Sequence, residues 1–62
     1  MNLRKQLDQE IQTAIENLDM SFLKESYQNL LQAKEQNQIS NQEFHVFEAI
    51  FESAGEMIEE LS

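Results

Sequence analysis

Ile39-Ser40-Asn41-Gln42-Glu43-Phe44 is the stretch that decides how this 62-residue chain folds. Ser40 and Glu43 stand at the spacing of a capping box, in which the serine hydroxyl accepts from the Glu43 N–H and the glutamate carboxylate accepts from the Ser40 N–H. Ile39 and Phe44 occupy the flanking hydrophobic-staple positions, so two independent start signals coincide. A helix over about 41–61 is predicted. It carries Phe44, Phe47, Phe51, Ala54, Ile58 and Leu61 at steps of three and four, and Val46, Ile50 and Met57 widen that face. This is the most apolar segment of the chain, and its face is wider than one antiparallel neighbour needs.

Working back from Ser40, Asn37 suits the left-handed position that ends a preceding helix. That helix is predicted over about 20–36, with Met20, Leu23, Tyr27, Leu30 and Leu31 as its apolar series. A first helix over about 2–18 follows from Leu3, Leu7, Ile11, Ile15 and Leu18, which lie along one face. The two series do not share a phase. A turn near Asp19 explains the slip, with Asp19 capping the next helix and Leu18 and Leu23 as its staple. The alternative is one long kinked helix from about Asn2 to Gln36, because no Gly or Pro marks the break. The fold class is therefore all-α: a single domain over 1–62, a small three-helix bundle. The alternative is a helical hairpin that dimerises into a four-helix core.

Composition sets the limits on function. The chain has no Cys, which excludes disulfides, thiolate zinc sites and cysteine nucleophiles. Its formal net charge is −8, which argues against nucleic acid or an anionic membrane surface as a direct ligand, since phosphate binding relies on clustered cations. No apolar run is long enough to span a bilayer, and Met1-Asn2-Leu3-Arg4-Lys5-Gln6 leads into a polar periodic stretch, so a soluble, cytoplasmic chain is expected. The acid is concentrated in the second half. Residues 32–62 set Lys34 alone against seven Glu.

Three constellations bear on chemistry. Within Gln32 to Glu43, the residues Asn37, Ile39, Ser40 and Glu43 followed by Phe44 resemble the back half of an EF-hand calcium loop, but the first, third and fifth positions would be Gln32, Lys34 and Gln36. A lysine there repels the ion, so the segment reads as a capped helix start. His45, Glu48 and Glu52 place an imidazole and two carboxylates on one flank, in the reverse order to the Glu-x-x-His of carboxylate-bridged metal bundles, and no metal or other cofactor is expected. Glu56 and Glu59 echo the paired carboxylates of helical nucleotide pyrophosphatases without a second acidic motif, and a chain this small seldom encloses a catalytic pocket, so no enzyme is expected.

A column of carboxylates carries the functional expectation. Glu48, Glu52, Glu56 and Glu60 recur at steps of four, with Glu59 beside them and no Lys or Arg after Lys34. Like charges at that spacing cost a few tenths of a kcal/mol per pair, roughly 0.2–0.5. A face maintained at a cost is either a solvated surface or a docking surface for a basic protein. Phe22 lies off the second apolar series and is the candidate aromatic anchor. The expected function is a non-catalytic acidic protein-binding module: a regulator, inhibitor or antitoxin-like factor whose partner-binding residues are Glu48, Glu52, Glu56, Glu59, Glu60 and Phe22. The alternative is a structural or assembly protein that homodimerises through the apolar face of the third helix.

Overall fold

Asn2, Asp19 and Ser40 each turn a side-chain oxygen onto the backbone of the residues that follow, and a helix starts after each one. The computed structural model describes residues 2–62, in the order α1 (Leu3–Glu16), α2 (Met20–Glu35) and α3 (Asn41–Leu61). The three helices pack on one another in a bundle of 34 × 21 × 15 Å. This is the all-α three-helix bundle expected from the sequence.

The caps explain the boundaries. Asp19 Oδ1 accepts from the Phe22 N–H at 3.0 Å. The capping box at α3 is complete, with Glu43 N–H donating to Ser40 Oγ and Ser40 N–H donating to Glu43 Oε1, both at 3.1 Å. These bonds satisfy donors that the first turn of a helix otherwise leaves bare.

Both interhelical turns are Schellman motifs. At the end of α1, Leu18 N–H donates to Ile15 O and Asp19 N–H donates to Ala14 O. At the end of α2, Asn37 N–H donates to Lys34 O and Gln38 N–H donates to Ala33 O. Each motif needs a left-handed residue, and Leu18 (φ 50°) and Asn37 (φ 59°) supply it. Asn37 matches its expected role. Leu18 does not extend the α1 stripe, since it occupies the turn itself with 38 % of its surface exposed. The break at 17–19 also rules out the long kinked helix, because the chain reverses there and Asp19 restarts it.

Leucine is a strained choice at that turn, costing roughly 1–2 kcal/mol against a residue free to adopt positive φ. Leu18→Gly is expected to stabilise the fold by about 0.5–1 kcal/mol net, once the lost leucine contacts and the greater freedom of the unfolded chain are counted. A thermal melt should show a rise of a few degrees, and Asn37→Gly a smaller one.

The core is formed by Leu7, Ile11 and Ala14 from α1, Leu23, Leu30 and Ala33 from α2, Ile39 from the turn, and Phe47, Phe51, Ala54 and Ile58 from α3. Leu3, Ile15, Met20, Phe22, Tyr27 and Phe44 pack around it. Ser26, only 1 % exposed, is a polar side chain buried alongside this core, and its hydroxyl oxygen has no hydrogen-bond partner among the described residues.

Arg4 pairs with Glu43, so the amino end of α1 is pinned beside the amino end of α3. α1 has 14 residues and α3 has 21, so α3 continues past α1 at its carboxyl end, where Met57 and Leu61 stand 44 % and 63 % exposed.

Hydrogen bonding from Arg4, reinforced by the Ser40 N–H, holds the Glu43 carboxyl down from 4.5 to about 2. A depressed carboxylate adds stability that is fully present above its unfolded value and lost as pH falls through the folded one. Glu43→Gln keeps a residue able to close the capping box but removes the charge. The wild type is therefore expected to melt above Glu43→Gln by a constant margin at neutral pH. That margin should narrow as pH drops from 4.5 toward 2. A margin independent of pH would show that the ion pair contributes nothing.

Candidate binding groove

α2 and α3 run side by side with opposite directions, and the seam between them opens outward into a groove of about 660 Å³. Met20, Leu23 and Tyr27 of α2 and Phe51 of α3 supply its apolar floor. Lys24 and Gln28 edge it on the α2 side, and Glu48, Glu52, Glu56 and Glu59 edge it on the α3 side. Helical periodicity accounts for both walls. Positions 20, 23, 24, 27 and 28 share one flank of α2, and positions 48, 52, 55, 56 and 59 share one flank of α3.

The groove is braced at one point. Tyr27 and Phe51 meet edge to face, with ring centroids 5.6 Å apart and planes at 75°. The Tyr27 hydroxyl donates to Glu48 Oε2 at 3.3 Å. Partial desolvation, followed by the nearby Glu48 and Glu52 carboxylates, raises the phenol above its ordinary range, so Tyr27 stays a protonated donor. On the outer side of Glu48, His45 Nδ1 lies 3.5 Å from Oε1.

Beyond Glu48 the carboxylates stand without such partners. Among the described residues the ion pair between Arg or Lys and a carboxylate is Arg4 with Glu43, and His45 lies beside Glu48. Lys24 edges the same groove but makes no ion pair with the column. Also among the described residues, no three His, Asp or Glu side chains gather closely enough to hold a metal ion, so His45, Glu48 and Glu52 form no triad of ligands.

The structure thus brings four of the six expected partner-binding residues to one place. Glu60 is exposed but does not line the groove, because one further residue rotates it about 100° away from Glu59. Phe22 is half-buried against the core and also does not line the groove. It is therefore placed as a packing residue of α2, not as a free anchor.

The α2 wall was not foreseen. Tyr27 belongs to the apolar series of α2, and the signal in the sequence for Lys24 and Gln28 is the flank they share with Met20. Gly55 lies on the groove wall. A methyl added there meets Leu23 Cδ2 at 3.8 Å, an ordinary contact, so packing does not require glycine at this position.

In comparisons with family models, curated proteins and solved structures, none matches the chain.

Proposed function

We propose that the chain is a non-catalytic protein-binding module, acting as a small regulator or inhibitor, whose α2–α3 groove takes a cationic amphipathic segment of a partner protein. One observation carries this reading. Glu48, Glu52, Glu56 and Glu59 rim a trough floored by Met20, Leu23, Tyr27 and Phe51, and among the described residues no Lys or Arg pairs with that rim.

The physics has two parts. The net charge of −8 and the acid rim raise the encounter rate with a basic surface and orient it. The floor then supplies the desolvated contact on which affinity depends, with Tyr27 and Phe51 as the aromatic anchors. A helix or extended strand bearing apolar residues on one side and Lys or Arg along its edges matches that cross-section.

Titrating isotope-labelled protein with a Lys- and Leu-containing amphipathic peptide tests the reading. Amide shifts are expected to concentrate at Met20, Leu23, Lys24, Tyr27, Phe51 and Gly55, and the midpoint should rise with salt. Shifts confined to other faces would remove the groove from consideration. Capture from the native host then identifies the partner, with the charge-reversed variant described below as the control.

A further inference from the structure

The flank of α3 opposite Glu48, Glu52 and Glu59 is apolar and uncovered, with Glu60 at its border. Val46, Ile50, Met57 and Leu61 are 55 %, 38 %, 44 % and 63 % exposed. They lie beyond the arc taken by the core residues Phe47, Phe51, Ala54 and Ile58, and between them stands the small, exposed Ser53. No Asp, Glu, Lys or Arg interrupts this strip.

Its spacing is symmetric. The steps from Val46 to Ile50, to Met57 and to Leu61 are four, seven and four, the same read in either direction, with the midpoint between Ser53 and Ala54. Such a strip is self-complementary under a twofold axis through that midpoint, as an isologous contact requires. Antiparallel pairing sets Val46 of one copy against Leu61 of the other and Ile50 against Met57, with Ser53 letting the helices approach at the centre. Four-and-three steps are also the spacing at which two helices interlock.

Charge selects the same arrangement. Docking through this flank leaves Glu48, Glu52, Glu56 and Glu59 of both copies on opposite outer faces. Antiparallel pairing also carries the acidic carboxyl end of the second copy's α3 to the end of the bundle that holds Arg4 and Lys5, placed there by the Arg4 contact with Glu43. Parallel pairing would instead stack two acidic helix ends. We infer that the uncovered flank of α3 is a homodimer interface, occupied by a second copy of this chain in antiparallel register about Ser53.

The contact is one helix face on another, about 22 Å long from Val46 to Leu61. That lies toward the small end of stable interfaces, so the dissociation constant is expected at roughly 10–100 µM. Because two bodies of charge −8 must approach, association tightens as salt is added. This is opposite in sign to the salt dependence of groove binding, so failure of one proposal is distinguishable from failure of the other.

Sedimentation or light scattering across concentration, at low and high salt, reads the mass. The expected result is a monomer–dimer equilibrium that high salt shifts toward dimer and that Ile50→Glu weakens by about 30-fold or more, the effect of a central anchor. Val46→Lys, at a more exposed position, repeats the test should Ile50→Glu disturb the helix, and circular dichroism monitors both. Because the chain has no cysteine, Ser53→Cys is a unique handle for a short bismaleimide. It should cross-link readily, whereas Glu56→Cys on the acid face should not. A monomeric mass at about 1 mM protein in high salt overturns the inference. So does a dimer indifferent to both Ile50→Glu and Val46→Lys, or one cross-linked through Glu56→Cys in preference to Ser53→Cys.

Discussion

Leu30→Ala is expected to remove about 2–5 kcal/mol of stability, a large share of what holds this fold together. Leu30 sits midway along α2 with none of its surface exposed, among the largest fully buried side chains. Truncating such a leucine costs about 2–5 kcal/mol, the lost transfer energy plus a cavity that packed helices close only in part. A chain of 62 residues has a total stability of roughly 3–9 kcal/mol. The substitution therefore removes a large share of all there is. Circular dichroism during urea or thermal unfolding should show the cooperative transition displaced to much lower denaturant and temperature. The neighbouring Leu31, 36 % exposed, is the internal control, and Leu31→Ala should cost under about 1 kcal/mol. Equal effects from the two would mean that α2 is rotated from the orientation described.

The double variant Glu52→Lys with Glu56→Lys is expected to separate stability from binding. In the wild type, Glu48, Glu52, Glu56 and Glu60 form three repulsive i, i+4 pairs. The variant turns the first and last of them attractive and leaves the middle one repulsive, a gain of about 0.8–2 kcal/mol at low salt. The folded protein should therefore melt slightly higher, and the gain should fade as salt is added. At the groove the effect is reversed. Two rim carboxylates become ammonium groups facing a cationic segment, and like-charge contact of that kind is expected to weaken capture by at least about 100-fold, or ~2.7 kcal/mol. Retained helicity, a raised melting temperature and lost binding together mark a face kept for function at the expense of stability. Undiminished capture would assign the acid column to solvation alone and end the docking proposal.

Local hydrogen bonding made the helix boundaries legible. The capping box at Ser40 and Glu43, the cap at Asp19 and the left-handed Asn37 each involve residues within a few positions of one another, so their chemistry can be read without knowing the neighbours. Leu18 was the exception. Nothing in a leucine announces positive φ; the demand came from two helices that had to reverse within residues 17–19. Most of the carboxylate column was equally legible, because steps of four drift only about 40° each and keep Glu48, Glu52 and Glu56 on one flank. Phe22 and Glu60 were not, since each lies one step from a boundary between flanks that only the packed neighbours define.

From its sequence alone, this protein is a set of three amphipathic helices with an acidic flank and an unusually wide apolar arc on the last. Periodicity assigns each side chain an angle about its own axis, and that is as far as it reaches. Where α1 and α2 lie around α3 is decided by packing. They cover Phe47, Phe51, Ala54 and Ile58, leave Val46, Ile50, Met57 and Leu61 bare, and turn Tyr27 and Lys24 toward the carboxylates. The groove and the symmetric strip are therefore tertiary features, because each requires knowing which part of a helix its neighbours fail to cover.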